Sequence, residues 1–147
     1  MITVENFIAD VLYLIKTKLN EITDPLSGSR TNSSFIMTSY PERKVEYPII
    51  TLKITNKNAT KAGMQTTAMD VTINIEARVW ARNQKEKDGL YTNVYNKLKN
   101  IQFVDEGTIN NGLHDFEERS ANEVDEAGKG RPKSRIGSFI YNFYNIT

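Results

Sequence analysis

A run of strict two-residue alternation constrains the fold of this chain more than any other feature. The apolar positions are Met69, Val71, Ile73, Ile75, Ala77 and Val79, and the positions between and after them are Asp70, Thr72, Asn74, Glu76, Arg78 and Trp80. Successive side chains of a strand point to opposite faces of the sheet. The pattern therefore predicts a long strand over residues 69–81 with one buried and one wet face.

An amphipathic helix is predicted near the start of the chain. Apolar residues recur at steps of three and four from Val4 to Ile22. Thr3 is placed to cap the start of this helix. Asp24-Pro25 is expected to end it, because the residue before proline disfavours the helical conformation.

A second helix is predicted immediately after the long strand. Asn83 and Glu86 have the spacing of a capping box. Apolar residues at helical spacing then extend to Ile101, which gives about four turns.

Four further segments have the composition of strands, at residues 35–40, 47–55, 113–118 and 136–146. Strands grouped between helices, rather than alternating with them, favour antiparallel pairing. The sequence thus predicts one α+β domain over residues 1–147, with a mostly antiparallel β-sheet of 4–5 strands and two amphipathic helices packed on one face.

Three polar segments, at residues 26–34, 56–68 and 119–134, are predicted to be mobile loops. If residues 47–55 and 69–81 pair as a hairpin, the connection between them is longer than a tight turn needs. Residues 56–68 are therefore a candidate projecting arm.

Composition narrows the function classes. The chain has no cysteine, one histidine and a net charge of +1. Disulfides and thiolate metal sites are thereby excluded, and a near-neutral charge gives no reason to expect strong binding to a phosphate backbone. The N-terminal sequence lacks the basic region of a signal peptide, and the stretch from Phe7 to Ile15 is too short and charged for a membrane span. We expect neither secretion by that route nor membrane insertion.

No motif for catalysis or metal binding is recognisable. His114 lies near Asp115, Glu117 and Glu118, but matches no zinc spacing. The glycines at 128 and 130 lack the strand, the lysine-serine ending and the helix of a phosphate loop. We expect no catalytic residue, no metal and no cofactor. An enzyme that uses strand-end carboxylates such as Asp70 is the least favoured class.

Charge is divided sharply within residues 115–135. Residues 115–126 hold six acids against Arg119, whereas residues 129–135 hold four bases and no acid. Either the two arms form one hairpin, or the acidic arm of one subunit meets the basic arm of the next, which would direct partner choice. The candidate subunit or partner contacts are Glu123, Asp125, Glu126, Lys129, Arg131, Lys133 and Arg135, together with Lys57, Lys61 and Met64 in the arm.

The last predicted strand is rich in aromatic residues. Phe139, Tyr141 and Phe143 share one face. The basic residues Arg131, Lys133 and Arg135 lie upstream. Packing in a core or between subunits is the favoured interpretation, since aromatic side chains fill a pleated surface well. A base-stacking platform is the alternative, and it would make the chain a small nucleic-acid-binding module.

The order of these elements resembles the tail terminator, or tail-to-head joining (tail completion), proteins of tailed phages. The resemblance covers nearly the full chain. It comprises the helix ending at Pro25, the Tyr47-Pro48-Ile49-Ile50 start of a long strand, the polar loop, the strand Met69 to Trp80, the helix from Lys87 through Leu98, and the aromatic C-terminal strand. Neck adaptors share parts of this architecture.

The resemblance implies a non-enzymatic virion protein, assembled in the host cytoplasm and located in the tail or neck. It would form a ring of identical subunits, a hexamer, on the last ring of the tail tube. The implied partners are the tail tube protein and the head–tail connector or neck protein, with DNA at most passing through the lumen and no membrane. The sheet faces would pack between neighbouring subunits, and the loops would order on docking.

Overall fold

A computed structural model describes residues 6–31, 34–40, 45–61, 69–104, 113–125 and 132–145. The elements in chain order are α1 (Phe7–Leu19), β1 (Ile36–Met37), β2 (Ile49–Lys61), β3 (Met69–Ala81), α2 (Gln84–Val104), β4 (Leu113–Asp125) and β5 (Lys133–Asn145). The strands form one sheet in the order β1-β2-β3-β5-β4.

The long alternating strand, β3, lies at the centre of this sheet. It pairs antiparallel with β2 on one side and with β5 on the other, and β5 pairs antiparallel with β4. Only β1 is parallel to its neighbour, over two residue pairs. The predicted α+β fold with a mostly antiparallel sheet is confirmed.

The core lies between one face of the sheet and the two helices. The buried side chains of β3 are Val71, Ile73, Ile75, Ala77 and Val79, and they form one cluster with Val11 and Ile15 of α1 and Val94 and Leu98 of α2. The aromatic residues of β5 belong to the same cluster, since Phe139, Tyr141 and Phe143 are at most 1% exposed. The Tyr141 hydroxyl donates a hydrogen bond to the Leu98 carbonyl of α2, and its burial raises the pKa of Tyr141.

Two of the predicted loops are wrong in large part, because the strands beside them continue. Residues 56–61 belong to β2 and pair with β3 as far as Lys61↔Met69. Residues 119–125 belong to β4 and pair with β5 as far as Asp125↔Lys133. Backbone pairing to an ordered neighbour extends these strands through polar sequence that shows no period. Residues 62–68 and 126–131 lie outside the described residues.

The helix ends differ from the prediction in instructive ways. α1 ends at Leu19 rather than at Asp24, and two turn hydrogen bonds follow that keep Ile22 buried. Thr3 lies outside the described residues. At the start of α2, the Asn83 side chain accepts the Glu86 N–H at 2.9 Å as predicted. The Glu86 carboxylate accepts the N–H of Arg82 instead of that of Asn83.

The predicted loop at residues 26–34 contains a buried anchor, Arg30, whose side chain is only 7% exposed. Its guanidinium donates to both oxygens of the Asp24 carboxylate at 2.9 and 2.8 Å. It also donates to the carbonyls of Glu46 and Pro48 at 2.5 and 2.6 Å. Arg30 therefore ties this segment to the start of β2, a contact that the prediction of a polar loop does not include.

Gly137 on β5 generates a prediction about packing. A Cβ atom at this position would lie 2.7 Å from both the Phe139 ring and the Tyr91 hydroxyl. We expect Gly137→Ala to destabilise the protein by about 1–3 kcal/mol through overpacking. The control is Gly89→Ala in α2, where no atom lies within 4 Å of the new Cβ and a gain of about 0.5–1 kcal/mol is expected. Urea unfolding of both variants checks this, and equal effects would contradict it.

The Asp24–Arg30 pair generates a prediction about pH. The hydrogen bonds from Arg30 lower the pKa of Asp24 below its ordinary value of 3.8. A carboxyl with a lowered folded-state pKa stabilises the fold above its unfolded pKa, and that contribution is lost as the pH falls through the folded pKa. We expect Asp24→Asn to lose about 1–3 kcal/mol at pH 7, because Arg30 stays buried without its anion.

Chemical denaturation between pH 7 and pH 2 measures this effect. The variant should lose less stability than the wild type on acidification. Glu21→Gln is the control, since Glu21 pairs with Lys97 at 2.8 Å on the exposed surface. The same pH profile for Asp24→Asn and the wild type would refute the assignment.

Candidate subunit-contact surface

The charge-divided segment forms one hairpin, and its acidic and basic arms are paired strands. Glu123 lies opposite Arg135, and Asp125 lies opposite Lys133. The hairpin alternative is therefore the arrangement within one chain. Of the other predicted contact residues, Glu126, Lys129 and Arg131 lie outside the described residues, as does Met64 of the predicted arm.

A buried lysine that the sequence analysis missed holds this hairpin to α2. The Lys87 side chain is 0% exposed, and its Nζ forms an ion pair with the Glu123 carboxylate. It also donates to Gln84 Oε1 at 3.0 Å. The signal in the sequence was the helical period, because residue 87 lies one turn before the buried Leu90 and Tyr91. Glu123, predicted as a contact to another subunit, is thus engaged within its own chain.

Arg135 makes a second connection between the hairpin and α2. Its guanidinium lies 3.4 Å from Asp88 Oδ1 and donates to the Ala121 carbonyl at 3.3 Å. It also lies 5.7 Å from the centre of the Tyr91 ring. The Tyr91 hydroxyl in turn donates to Glu118 at 2.7 Å, and burial, followed by this carboxylate, raises the pKa of Tyr91. The helix side of the hairpin is therefore a connected polar network.

The single histidine lies at an irregular point of β4. His114 Nδ1 is 3.1 Å from the Asp115 carboxylate, which also accepts the Asn142 amide at 3.2 Å. The hydrogen bond from Asn142, followed by that of His114, lowers the pKa of Asp115. Asp115 has a positive φ of 54°, within the β-bulge that separates His114 from Glu117. Across the described residues, no three His, Cys, Asp or Glu side chains converge on a possible metal site.

The described part of the predicted arm, residues 56–61, is the far half of β2. Residues 55–61 are all exposed. Lys57 lies on the helix side, with its Nζ 5.0 Å from the centre of the Phe7 ring. Lys61 is exposed at the last described position of the strand. These two lysines, both predicted contact residues, lie on an accessible strand.

Among the described residues, the face of the sheet that bears no helix is covered at one end only. Trp80 is 9% exposed there and packs with Val45 and Ile49. The Arg78 guanidinium lies 3.5 Å from the Trp80 ring centre, and the Trp80 indole donates to Thr51 Oγ1 at 3.2 Å. This second small cluster closes the β1 side of the face.

The rest of that face carries half-buried side chains of mixed character. Ile136 and Ile140 of β5 lie opposite Arg78 and Asn74 of β3, on the side away from Phe139. On this face of β5, Ser138 separates the two isoleucines. The face therefore mixes apolar and polar side chains.

Depressions elsewhere show no chemistry of their own. One of about 370 Å³ lies between the end of α1 and β1, and its lining includes Glu21 and Asp24. Both carboxylates are already paired, with Lys97 and Arg30 respectively. A second, of about 300 Å³, lies beside it along α2. Neither brings a nucleophile and a base together.

The described helices include none long and apolar enough to cross a membrane. Comparison with known protein families and with curated protein sequences finds no family model that matches the chain and no significant sequence match. The functional interpretation therefore rests on the arrangement of the described residues.

The Lys87–Glu123 pair generates a prediction about coupling. Glu123→Gln removes the carboxylate paired with the buried ammonium and leaves Asp88, at 3.9 Å, as a nearby anion. We expect a loss of about 1–3 kcal/mol, a moderate value because Glu123 is 36% exposed. Glu117→Gln is the matched control, because Glu117 is 60% exposed and lies 3.6 Å from Arg119 on the surface.

A double-mutant cycle isolates the pair. Lys87→Met should destabilise the wild type more than it destabilises the Glu123→Gln variant, as measured by guanidinium denaturation. Strictly additive losses would show that the two side chains do not depend on each other.

Proposed function

We propose that this chain is a non-enzymatic assembly protein of a tailed phage, a ring-forming tail terminator or tail completion subunit. The observation that carries the proposal is the one-sided architecture. Both helices bury their apolar faces on the same side of the sheet. No described segment covers the opposite side of the sheet beyond the Trp80 cluster, and this face is suited to contact with another protein.

The character of the open face supports a protein contact. Ile136 and Ile140 stand among polar and charged residues, with Arg78 and Asn74 opposite them on β3. Mixed surfaces of this kind are typical of non-obligate interfaces, which are about as apolar as the rest of a protein surface. Ligand pockets, in contrast, are concave and bury most of a small molecule.

The distribution of charge supports assembly over chemistry. The carboxylates near Lys87, Tyr91 and Arg30 are held in structural pairs. Exposed charges also line the outer strands of the sheet, among them Lys53 and Lys61 on β2 and Glu117 on β4. Contacts between unlike surfaces of identical subunits close into rings when the rotation between subunits permits. A hexamer on the last ring of the tail tube is the assembly that we propose.

In this role the ring stops growth of the tail tube and then offers a surface to the head–tail connector. The chain would act through interface geometry, with DNA passing through the lumen. The nucleic-acid-binding alternative requires an exposed stacking surface. Phe139, Tyr141 and Phe143 are instead packed beneath the helices, so that alternative has no support from their placement.

The proposal predicts two measurable behaviours. Purified protein should form rings, either at once or as its concentration rises, in light scattering and negative-stain microscopy. Added to polymerising tail tube protein from the same genome, it should stop elongation and give short tubes with a ring at one end. A strict monomer that leaves tube growth unchanged would refute the proposal.

A further inference from the structure

The sheet ends in two open edges. On one side of the sheet, β1 pairs with the outer edge of β2 only at Ile50 and Thr51. No described strand pairs with the outer edge of residues 52–61, whose inner edge pairs with β3. On the other side, β4 is the last strand of the sheet along its whole length. Along an edge strand, alternate residues present unpaired N–H and C=O groups to solvent.

The two edges carry opposite charge. β2 contains Lys53, Lys57 and Lys61 and no acid. β4 contains five acids against Arg119 and His114. Two β2 edges would repel each other, as would two β4 edges. A β2 edge and a β4 edge attract, so charge selects contact between unlike edges.

The strand directions fit the same contact. Each of the three ladders between β2, β3, β5 and β4 is antiparallel, so β2 and β4 run in opposite directions. A rotation about an axis along the strands preserves these directions. In a ring with such an axis, β4 of one copy would meet β2 of the next as an antiparallel pair.

The regular parts of the two edges also match. β2 has a bulge between Ile54 and Asn56, after which its ladder is regular to Lys61. β4 has bulges up to Ser120, after which its ladder is regular to Asp125. The accessible, regular stretches are therefore residues 56–61 and 120–125.

The side-chain faces restrict the register. Lys57 and Glu123 both lie on the helix side, since their strand partners Ile73 and Arg135 do. Placing Lys57 opposite Glu123 brings Asn58 opposite Asn122, and both of these lie on the open face. A shift by one residue would mismatch every face.

We propose that residues 56–60 of one copy pair antiparallel with residues 120–124 of the next, so that the sheet continues from subunit to subunit around the ring. The proposal rests on the proposed ring and specifies its contact. Main-chain hydrogen bonds join the copies, as in other cases of strand addition, and the charge difference sets the head-to-tail order.

A charge-exchange experiment tests the contact. Asn58→Glu/Lys61→Glu changes the charge of residues 56–61 from +2 to −1. Asn122→Lys/Asp125→Lys changes the charge of residues 120–125 by a matched amount, from −2 to +1. Each variant alone places like charges together, so the concentration needed for ring formation should rise by on the order of tenfold or more. An equimolar mixture should restore rings in which the two variants alternate, visible by native mass spectrometry.

The matched control is Asn96→Glu/Lys99→Glu on the exposed side of α2, which should assemble as the wild type does. If the wild type forms rings and both edge variants assemble equally well, the edge contact is wrong while the ring stands. The same holds if the mixture fails to restore rings. A wild type that never forms rings, even on tail tubes, overturns both proposals.

A disulfide cross-link provides a second test, which leaves every charged side chain of the two edges in place. The chain has no cysteine, so any disulfide must come from introduced residues. Oxidation of Asn58→Cys/Asn122→Cys should give a ladder of covalent species larger than the dimer. Each single variant should stop at the dimer. A double variant that also stops at the dimer, at concentrations where rings form, would overturn the proposed pairing.

Discussion

The burial of one face of β3 beneath two helices is the interaction on which the rest of the structure depends. Every second side chain from Val71 to Val79 lies in the core, and both neighbours of β3 pair with it along nearly their full length. Apolar burial of this kind is the dominant favourable term in folding. β3 contributes to it at the centre of the sheet, β2 and β5 pair with β3 and add side chains to the same core, and β4 joins the sheet through β5.

This dependence explains which elements could be predicted. The strand over residues 69–81 has the bounds that its alternation predicts, because its pattern and its burial have the same cause. The Asn83 cap was predicted for a similar reason, since a cap is a local interaction. The far halves of β2 and β4 were not predictable in this way. They contain polar residues without a period, and a partner distant in sequence keeps them extended.

In the candidate site as well, features that depend on local sequence were predicted and features that depend on distant contacts were not. The sequence alone indicated that residues 115–135 hold opposed charges, and it named Glu123, Lys133 and Arg135. It could not indicate that Lys87 of α2 forms an ion pair with the Glu123 carboxylate. Arg30 was missed because its partners, the carbonyls of Glu46 and Pro48, are backbone atoms that carry no sequence signature. The close approach at Gly137 depends on Tyr91 of α2 and is equally non-local.

The number of long strands has a consequence beyond the monomer. Four antiparallel strands form an even set, so the two outer ones, β2 and β4, run in opposite directions. An odd set would have left parallel edges, and copies related by rotation about the strand direction would then meet in parallel. With the even set, each copy offers an antiparallel edge to its neighbour. The opposite charge of the edges makes that meeting favourable in one order only, which is the condition for a closed ring rather than a two-fold dimer.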